Sequence, residues 1–407
     1  MNDRSPAAAD RPQQAELHAD NLPGAVVVGG DYQGLGIVRS LGRHHIPVCI
    51  IDDERSIARY SRYVTHAVHV PNLRNDDSIV KELLALARRL NLKGWVLFPT
   101  REEIVAAVSR NRAQLTDWFR VPTPSWDTIQ WVWDKRNTCD VARKLGLPIP
   151  ETWNPRTTAD LGQITTPFPL AVKPSIKEHF FYTTRAKGWS ASNPHELETL
   201  FHKAQNIAGT DEILVQEMIP GGGLYQFGYC AFFKDGHAVA SMVSRRLRQH
   251  PHDFGRASTF VETVERPELE ALSTRLLNGI HYYGLVEVEY KQDPRDGQYK
   301  LLDINARTWG YHTLGAVAGV DFPYLLYCDQ IGKPVSNVRA KSGRSWIRML
   351  TDFPTAVLDI AHGRLSLSEY LHSLRTFDIE AVFNLGDPMP GVVECILLPY
   401  LIIKRGF

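Results

Sequence analysis

Two neighbouring segments near residue 300 alternate apolar and polar residues, and they constrain the fold more than any other feature of the chain. Residues 284–291 read GLVEVEYK and residues 301–307 read LLDINAR. A period of two is typical of a β-strand with one buried face. The connecting DPRDG, with its Asp-Gly, is typical of a tight turn between two strands. The pair therefore predicts an antiparallel hairpin.

The predicted hairpin gathers acidic and amide side chains on one face. Alternation places Glu287 and Glu289 together on the first strand, and Asp303 and Asn305 together on the second. Directly opposed Cβ atoms in paired strands are only about 4.5–5.5 Å apart, so these carboxylates repel one another unless a cation lies between them. Hard oxygen ligands suit Mg²⁺, which usually shares its shell with phosphate oxygens and water. The alternative is a hairpin whose polar face is simply solvated.

Length, charge and cysteine content restrict the class of protein. A chain of 407 residues is long enough for two or three domains, and 43% hydrophobic with 22% charged residues is typical of a soluble globular protein. A formal net charge of +1 gives no field that attracts nucleic acid. The five cysteines are scattered without metal-ligand spacing, which indicates reduced thiols and a cytoplasmic location.

Neither end of the chain reads as a membrane-spanning or secretory segment. Residues 1–23 lack an apolar run and predict a disordered leader. The most apolar stretch, residues 392–403, is too short to span a bilayer and contains Glu394 and Pro399. It packs into the core or lies peripherally at the inner face of the membrane, with Lys404 and Arg405 facing the headgroups.

The N-terminal part has the pattern of a βαβ unit. A buried strand at 25–28 is followed by GGDYQGLG at 29–36, a helical pattern, and a second strand at 47–51 that ends in Asp52-Asp53. This predicts a Rossmann-like domain. The glycine spacing does not match GxGxxG, so a dinucleotide-dependent oxidoreductase is the alternative function, not the leading one.

Further along, basic and polar residues lie at the ends of predicted elements. Lys135 opens a helix, Lys173 ends a strand at 170–173, and Gln216-Glu217 lies near the end of a strand at 212–219, just before the glycine break at 220–223. Each has an ordinary explanation as a solvated lysine or a plain strand end. From about residue 345 onward the pattern is helical and loop-like. The order is α/β first and α+β second.

The ordered set DK (134–135), VKP (172–174), QE (216–217), VEYK (288–291) and DINAR (303–307) resembles the ATP-grasp superfamily of carboxylate–amine ligases over about residues 25–335. Within it the general pattern is similar to bacterial D-aspartate ligase-like proteins. The resemblance implies five parts: the disordered leader (1–23), a Rossmann-like pre-ATP-grasp domain (24–122), an ATP-grasp domain (123–340) with a lid subdomain (about 150–220) and a larger subdomain (221–340), and a helical or irregular C-terminal extension (341–407).

The resemblance also implies roles for individual residues. Lys135 and Lys173 would contact the ATP phosphates, and the adenine would be contacted by the segment Gln216, Glu217, Met218 and Ile219. Mg²⁺ (or Mn²⁺) would be bound by Glu289, Asp303 and Asn305. Arg307 would contact the acyl phosphate, and the substrate carboxylate would be bound by Arg245, Arg246 and Arg248. The chain departs from the usual pattern at Asp303, where glutamate is usual, and at Ala306, where proline is usual. The loop after Lys173 lacks the usual glycines that wrap the phosphates, so Lys177, Lys187 or backbone amides elsewhere are the candidates for that role.

The implied function is an ATP- and Mg²⁺-dependent ligase that activates a carboxylate as an acyl phosphate and joins it to an amine, releasing ADP and phosphate. The implied partners are small-molecule carboxylates and amines, a cell-envelope precursor among them, and a second copy in a homodimer. Segments 221–223 and 249–258 are candidate lids. A non-catalytic nucleotide-binding protein of the same fold is a third alternative.

Overall fold

A computed structural model of the chain describes residues 22–251, 255 and 257–405, with side chains through residue 402. Most of the predicted leader, part of the predicted lid at 249–258, and the side chains of Lys404 and Arg405 lie outside the described residues.

Residues 25–120 form a five-stranded parallel sheet in the order β3-β2-β1-β4-β5 with helices on its faces. The elements are β1 (Ala25–Val28), α1 (Tyr32–Arg43), β2 (Val48–Asp52), β3 (His66–His69), α2 (Asp76–Leu90), β4 (Trp95–Pro99), α3 (Glu102–Arg110), α4 (Arg112–Thr116) and β5 (Phe119–Arg120). Every residue of β1 and β2 is buried, as expected for short apolar strands covered on both faces.

Two helices lead into a small four-stranded sheet, ordered β6-β9-β7-β8, whose paired strands run antiparallel. The elements are α5 (Trp126–Trp133), α6 (Lys135–Lys144), β6 (Thr152–Trp153), α7 (Thr158–Leu161), β7 (Leu170–Pro174), α8 (Glu178–Thr184), β8 (Trp189–Ala191), α9 (Pro194–Ala208) and β9 (Ile213–Glu217). Asp134 caps α6 by accepting from the Arg136 amide, which fixes Lys135 at the first position of the helix.

The largest sheet has eight strands, and the predicted hairpin lies at its edge as β13 and β14. The elements of this region are β10 (Gln226–Lys234), β11 (His237–His250), β12 (Ala257–Val264), α10 (Pro267–Gly279), β13 (Gly284–Gln292), β14 (Tyr299–Asn305), α11 (Thr313–Val317), α12 (Phe322–Gln330) and β15 (Val338–Arg339). Strand β12 is not predicted from the sequence, and it begins inside the candidate lid segment 249–258.

The C-terminal region is not only helical and irregular, as the sequence pattern predicts, because it adds two strands to the largest sheet. Its elements are β16 (Ser345–Ile347), α13 (Met349–Ala361), α14 (Leu367–Thr376), β17 (Ile379–Glu380), α15 (Met389–Ile396) and α16 (Leu398–Arg405). β16 pairs with β12 through Trp346 and Val261, and Trp346 is fully buried. Strands this short are not recognisable from alternation.

The N-terminal sheet and the largest sheet share one hydrophobic core. Leu35 and Val38 of α1 belong to the same buried cluster as Trp309 and Phe322 beyond the hairpin. This packing places the turn after β1 beside the end of the hairpin, where the candidate site lies. Across the described residues, no helix has both the length and the apolar character needed to cross a membrane.

Candidate active site

The hairpin brings its four polar side chains together. The β13–β14 register pairs Glu287 with Asn305 and Glu289 with Asp303. The Asn305 amide donates to Glu287 Oε2 and to Glu289 Oε1, each at 2.9 Å. Both glutamates are almost fully buried. The amide therefore bridges two carboxylates and leaves its own oxygen turned away from them.

Two cations hold this acidic group together. Arg246 Nη2 lies 2.8 Å from Glu289 Oε2, and Lys135 Nζ lies 2.6 Å from Asp303 Oδ1. Burial opposes the charge on Glu289, but Arg246 and Lys187 outweigh it and lower the pKa of that carboxyl to about 2. Burial and the charge of Glu289 raise the pKa of Glu287 to about 7. The site thus contains one firmly ionised carboxylate beside one that is reluctant to ionise.

A cavity of about 880 Å³ lies between the small sheet and the hairpin. Both the small sheet and the hairpin contribute to its lining, which includes Lys135, Lys173, Gln216, Glu217, Met218, Ile219, Glu289, Lys291 and Asp303. All the predicted phosphate and adenine residues therefore face one space, together with two of the three predicted metal ligands.

The lysine at the end of β7 is held in this cavity by a neighbouring strand. Lys173 Nζ donates to Gln216 Oε1, and Gln216 Nε2 in turn donates to Thr152 Oγ1 at 2.7 Å. Burial, followed by the charge of Lys135, lowers the pKa of Lys173 to about 8. A cation in this state gains from an anionic ligand, because the ligand restores the stabilisation that burial removed.

The predicted adenine segment contributes its backbone more than its side chains. The Glu217 carboxylate forms ion pairs with Arg295 and, at 3.3 Å, with Lys300. Met218 Sδ accepts from Ser190 Oγ at 3.2 Å. The Glu217 amide is engaged as well, because it donates to the Glu151 carbonyl at 2.8 Å. The main chain of Met218 and Ile219 is therefore what this segment offers to a ligand.

A second cavity, of about 710 Å³, adjoins the first and shares Lys177, Lys187, Glu289 and Asp303 with it. Arg307 lines it, with Nε 2.7 Å from Glu102 Oε1 and Nη2 3.3 Å from Asn305 Oδ1. Arg307 is thus held between the N-terminal sheet and the candidate metal ligands. The second cavity continues into a larger cavity of about 1580 Å³, which is also lined by α3, α8 and the start of α13.

The three predicted substrate arginines do not act as one group. Arg246 alone of them faces the acidic hairpin. Arg245 donates through Nε to Glu262 at 2.8 Å. Arg248 is buried in a bidentate pair with Asp352, both contacts at 2.8 Å. The structure therefore does not bring Arg245 and Arg248 together with Arg246, because strand alternation, and irregular pairing between Arg246 and Arg248, turn them to other partners.

Some residues of the site have no motif in the sequence. Tyr32 and Gln33, the first residues of α1, line the second cavity because the shared core brings α1 against the large sheet. Glu287 accepts a hydrogen bond from the Tyr311 hydroxyl and completes the acidic group. Strand alternation places Glu287 beside Glu289, but the metal ligands implied by the resemblance do not include it. Long-range packing of this kind is not visible in sequence spacing.

The arrangement suits Mg²⁺ in the donor atoms it offers. Glu289, Asp303 and Asn305 supply hard oxygens beside a cavity lined by lysines. Over the described ranges, no cluster of three or more His, Cys, Asp or Glu side chains is arranged as a metal centre. Mg²⁺ typically takes only one or two protein carboxylates and completes its shell with water and phosphate oxygens. The residues therefore fit a cation that arrives with a nucleotide.

The N-terminal glycine turn, in contrast, has its polar groups bound internally. The Gly30 amide donates to Asp52 Oδ2 at 2.6 Å. Arg101 pairs with Asp52 and, at 2.7 Å, with Asp53. The acid that would hold a ribose in a dinucleotide site is therefore already paired with a cation.

The comparisons with known proteins agree with one another on the fold. No protein-family model matches the sequence. D-aspartate ligase of Enterococcus faecium (strain Aus0004) is 23% identical over 297 residues, which are 69% of this chain and 70% of that protein. The structure of an L-amino acid ligase from Bacillus licheniformis superposes with a TM-score of 0.60 at 14% identity, covering 77% of this chain and 75% of that one.

N5-carboxyaminoimidazole synthetase from Staphylococcus aureus superposes with a TM-score of 0.63 at 13% identity, over 84% of this chain and 86% of that one. The biotin carboxylase domain of 2-oxoglutarate carboxylase from Hydrogenobacter thermophilus was solved with MgADP and bicarbonate. It superposes with a TM-score of 0.61 at 15% identity, over 80% of this chain and 74% of that one. The chain has the ATP-grasp fold. The resemblance drawn from the sequence is confirmed, and the relatives support the ligase prediction over the oxidoreductase.

Proposed function

We propose that this chain is an ATP- and Mg²⁺-dependent ligase that converts a carboxylate into an acyl phosphate and joins it to an amine. The observation that carries the proposal is the position of the acidic hairpin. Glu289 and Asp303 line both cavities, with Lys173 in one and Arg307 in the other. A triphosphate in the first cavity and a substrate carboxylate in the second can thus meet beside these two carboxylates.

In the first cavity the chain binds and orients the nucleotide. The main chain of Met218 and Ile219 offers hydrogen-bonding groups to a base, and Lys135 and Lys173 lie where phosphates would follow. Mg²⁺, held by Glu289, Asp303 and Asn305, neutralises phosphate charge when bound. Because Lys135 and Arg246 pair with these carboxylates in the free chain, we expect both side chains to shift toward anionic groups of the ligands.

The reaction balances in two steps. A carboxylate oxygen attacks the γ-phosphorus, the bond to the ADP oxygen breaks, and an acyl phosphate forms. The amine nitrogen then attacks the acyl carbon, phosphate leaves and the nitrogen loses a proton. Arg307 lies at the border of the two cavities, where its guanidinium can stabilise the oxyanion of the second step.

The finer part of the proposal concerns the substrates. We infer that the carboxylate belongs to an amino acid and that the amine belongs to a small molecule or a cell-envelope precursor. The names of the relatives, D-aspartate ligase and L-amino acid ligase, support the amino acid. The larger cavity also supports it, because Arg74 and Arg185 line it beside Asp31 and Glu103, which offers charges of both signs to a zwitterion. A homodimer belongs to the same proposal and rests on the resemblance alone.

Screening pairs of carboxylates and amines for ADP release, with mass spectrometry of the products, tests the proposal. We expect ADP release to require both substrates and the product to have the summed mass of the pair less one water. ADP release without a condensed product, or NAD binding in place of ATP binding on calorimetric titration, would contradict it.

A further inference from the structure

Helix α15 buries its one charged side chain and exposes part of its apolar surface, although Val393 on its buried side packs into the core. Its Glu394 is buried and accepts from Arg348 Nη2 at 2.7 Å, while Met389, Val392 and Ile396 point outward. Ile396 is 70% exposed. A helix on a folded domain normally buries its apolar stripe and exposes its polar one. The buried ion pair fixes this inverted orientation, because rotating the helix would strip Glu394 from its partner.

The same inversion occurs in α13. Its buried face carries Thr351, Asp352 and Asp359, whereas Phe353 and Val357 are exposed. Asp352 is held by the bidentate pair with Arg248 described above. Two helices of one segment thus keep apolar faces outward through buried charges, which indicates a property of the C-terminal region and not an accident of one side chain.

Further large apolar side chains are exposed in the loop before α15 and in α16, which packs against α15, and we call the set the α15–α16 face. Its members are Leu385, Met389, Val392, Ile396 and Ile402. Leu385, in the loop before α15, is fully exposed. Clusters of large exposed apolar side chains mark sites that another apolar surface covers.

Arginines and tyrosines border this face. The short 3₁₀ turn at Ala58–Tyr60 packs against α15. Arg55 stacks on Tyr400 of α16, and Arg59 stacks on Tyr60. Arg62 Nη1 donates to the carbonyl of Gly386, next to Leu385. An apolar patch with a rim of arginine and tyrosine has the composition of a surface that sits at the headgroup level of a bilayer.

We propose that the α15–α16 face docks on an anionic lipid bilayer, with the apolar side chains among the acyl chains and the arginine rim at the headgroups. Charge decides between this occupant and a second copy of the chain. A two-fold contact presents the same surface on both subunits, so it would set one arginine rim against another. An anionic bilayer presents the complementary charge. The proposal does not depend on the ligase activity.

Co-sedimentation of the full chain with vesicles tests this. We expect the wild type to pellet with phosphatidylcholine vesicles that contain phosphatidylglycerol, and to bind about tenfold less to pure phosphatidylcholine, because arginine attraction adds to apolar burial. The triple variant Leu385→Gln, Val392→Gln, Ile396→Gln should lose about tenfold in binding or more. Arg55→Gln with Arg59→Gln should remove the preference for anionic vesicles.

Leu224→Gln is the matched control, because Leu224 is 55% exposed and lies outside the face; it should pellet like the wild type. Circular dichroism and light-scattering mass of each protein complete the set. Three results would overturn the proposal: a wild type that stays in solution with anionic vesicles, a folded triple variant that binds them as well as the wild type, or a dimeric wild type that the triple variant converts to monomer, which would show that a second copy covers the face.

Discussion

Two regions of this chain carry glycines, acids and bases in patterns typical of nucleotide binding, and they use those groups differently. In the turn after β1, the Gly30 amide and Arg101 are both bound to Asp52. At the hairpin, Glu289 and Asp303 line a cavity of about 880 Å³ that Lys173 also lines. The comparison teaches that a motif indicates a binding site only when its charges still face open space after the chain has folded.

The largest expected effect is at Asn305, the amide that bridges the two hairpin glutamates. We expect Asn305→Ala to reduce turnover about 1000-fold or more, because it removes a candidate metal ligand and leaves two buried carboxylates without their shared donor. ADP release measures the loss, and thermal unfolding checks that the variant is folded. The matched control is Asn278→Ala, whose amide donates to Gly236 on the surface. A folded Asn305 variant with full turnover would remove the metal assignment.

The next largest effect is expected at Lys173, which lines the cavity proposed to bind the nucleotide. Lys173→Met should weaken ATP binding about 100-fold in calorimetric titration, because a charged hydrogen bond to phosphate in a buried site is lost. Lys333→Met, at an exposed lysine, should leave the affinity unchanged. Unchanged ATP affinity in the Lys173 variant would mean that the phosphates lie elsewhere.

The N-terminal turn should respond in the opposite manner. Arg101→Met leaves Asp52 and Asp53 without their cation, so we expect the free energy of unfolding to fall by about 3 kcal/mol. ATP affinity, measured below the unfolding transition, should stay within about twofold of the wild type, because no phosphate is expected at this turn. If the folded variant loses ATP binding, the two regions do not differ as described.

The smallest effect is the dependence of ATP affinity on pH. Burial lowers the pKa of both Lys173 and Lys187 to about 8, so each is protonated below that pH and neutral above it in the free chain. A bound phosphate favours the charged form. ATP affinity should therefore be level below pH 8 and fall about tenfold between pH 8 and 9 as the lysines lose their protons.

Calorimetry in two buffers of different ionisation enthalpy should show proton uptake on binding above pH 8, and Lys173→Met should reduce that uptake. An affinity that rises with pH through this range would contradict the assignment.

The sequence predicts the parts of the site that rest on local periodicity. Alternation in 284–291 and 301–307 places Glu287 and Glu289 on one face of the first strand and Asp303 and Asn305 on one face of the second, and the structure pairs these residues across the hairpin. The apolar run before Lys173 likewise predicts a strand whose last residues reach the cavity.

What the sequence does not predict depends on contacts between distant segments. Arg246 and Arg248 look equivalent in RRLR, yet irregular pairing with β12 sends one to Glu289 and the other to Asp352. β16 escapes prediction because a strand of three residues has no measurable period. Helix α15 (MPGVVECI) has Glu394 as its only charged residue, so its sequence does not tell which face is buried, whereas the ion pair of Glu394 with Arg348 does.

A crystal structure with Mn²⁺ and a non-hydrolysable ATP analogue tests the central claim most directly. We predict an anomalous peak within about 2.0–2.4 Å of oxygens from Glu289, Asp303 or Asn305, with the phosphates between it and Lys173. A nucleotide bound at the turn after β1, or a metal ion remote from the hairpin, would contradict the account.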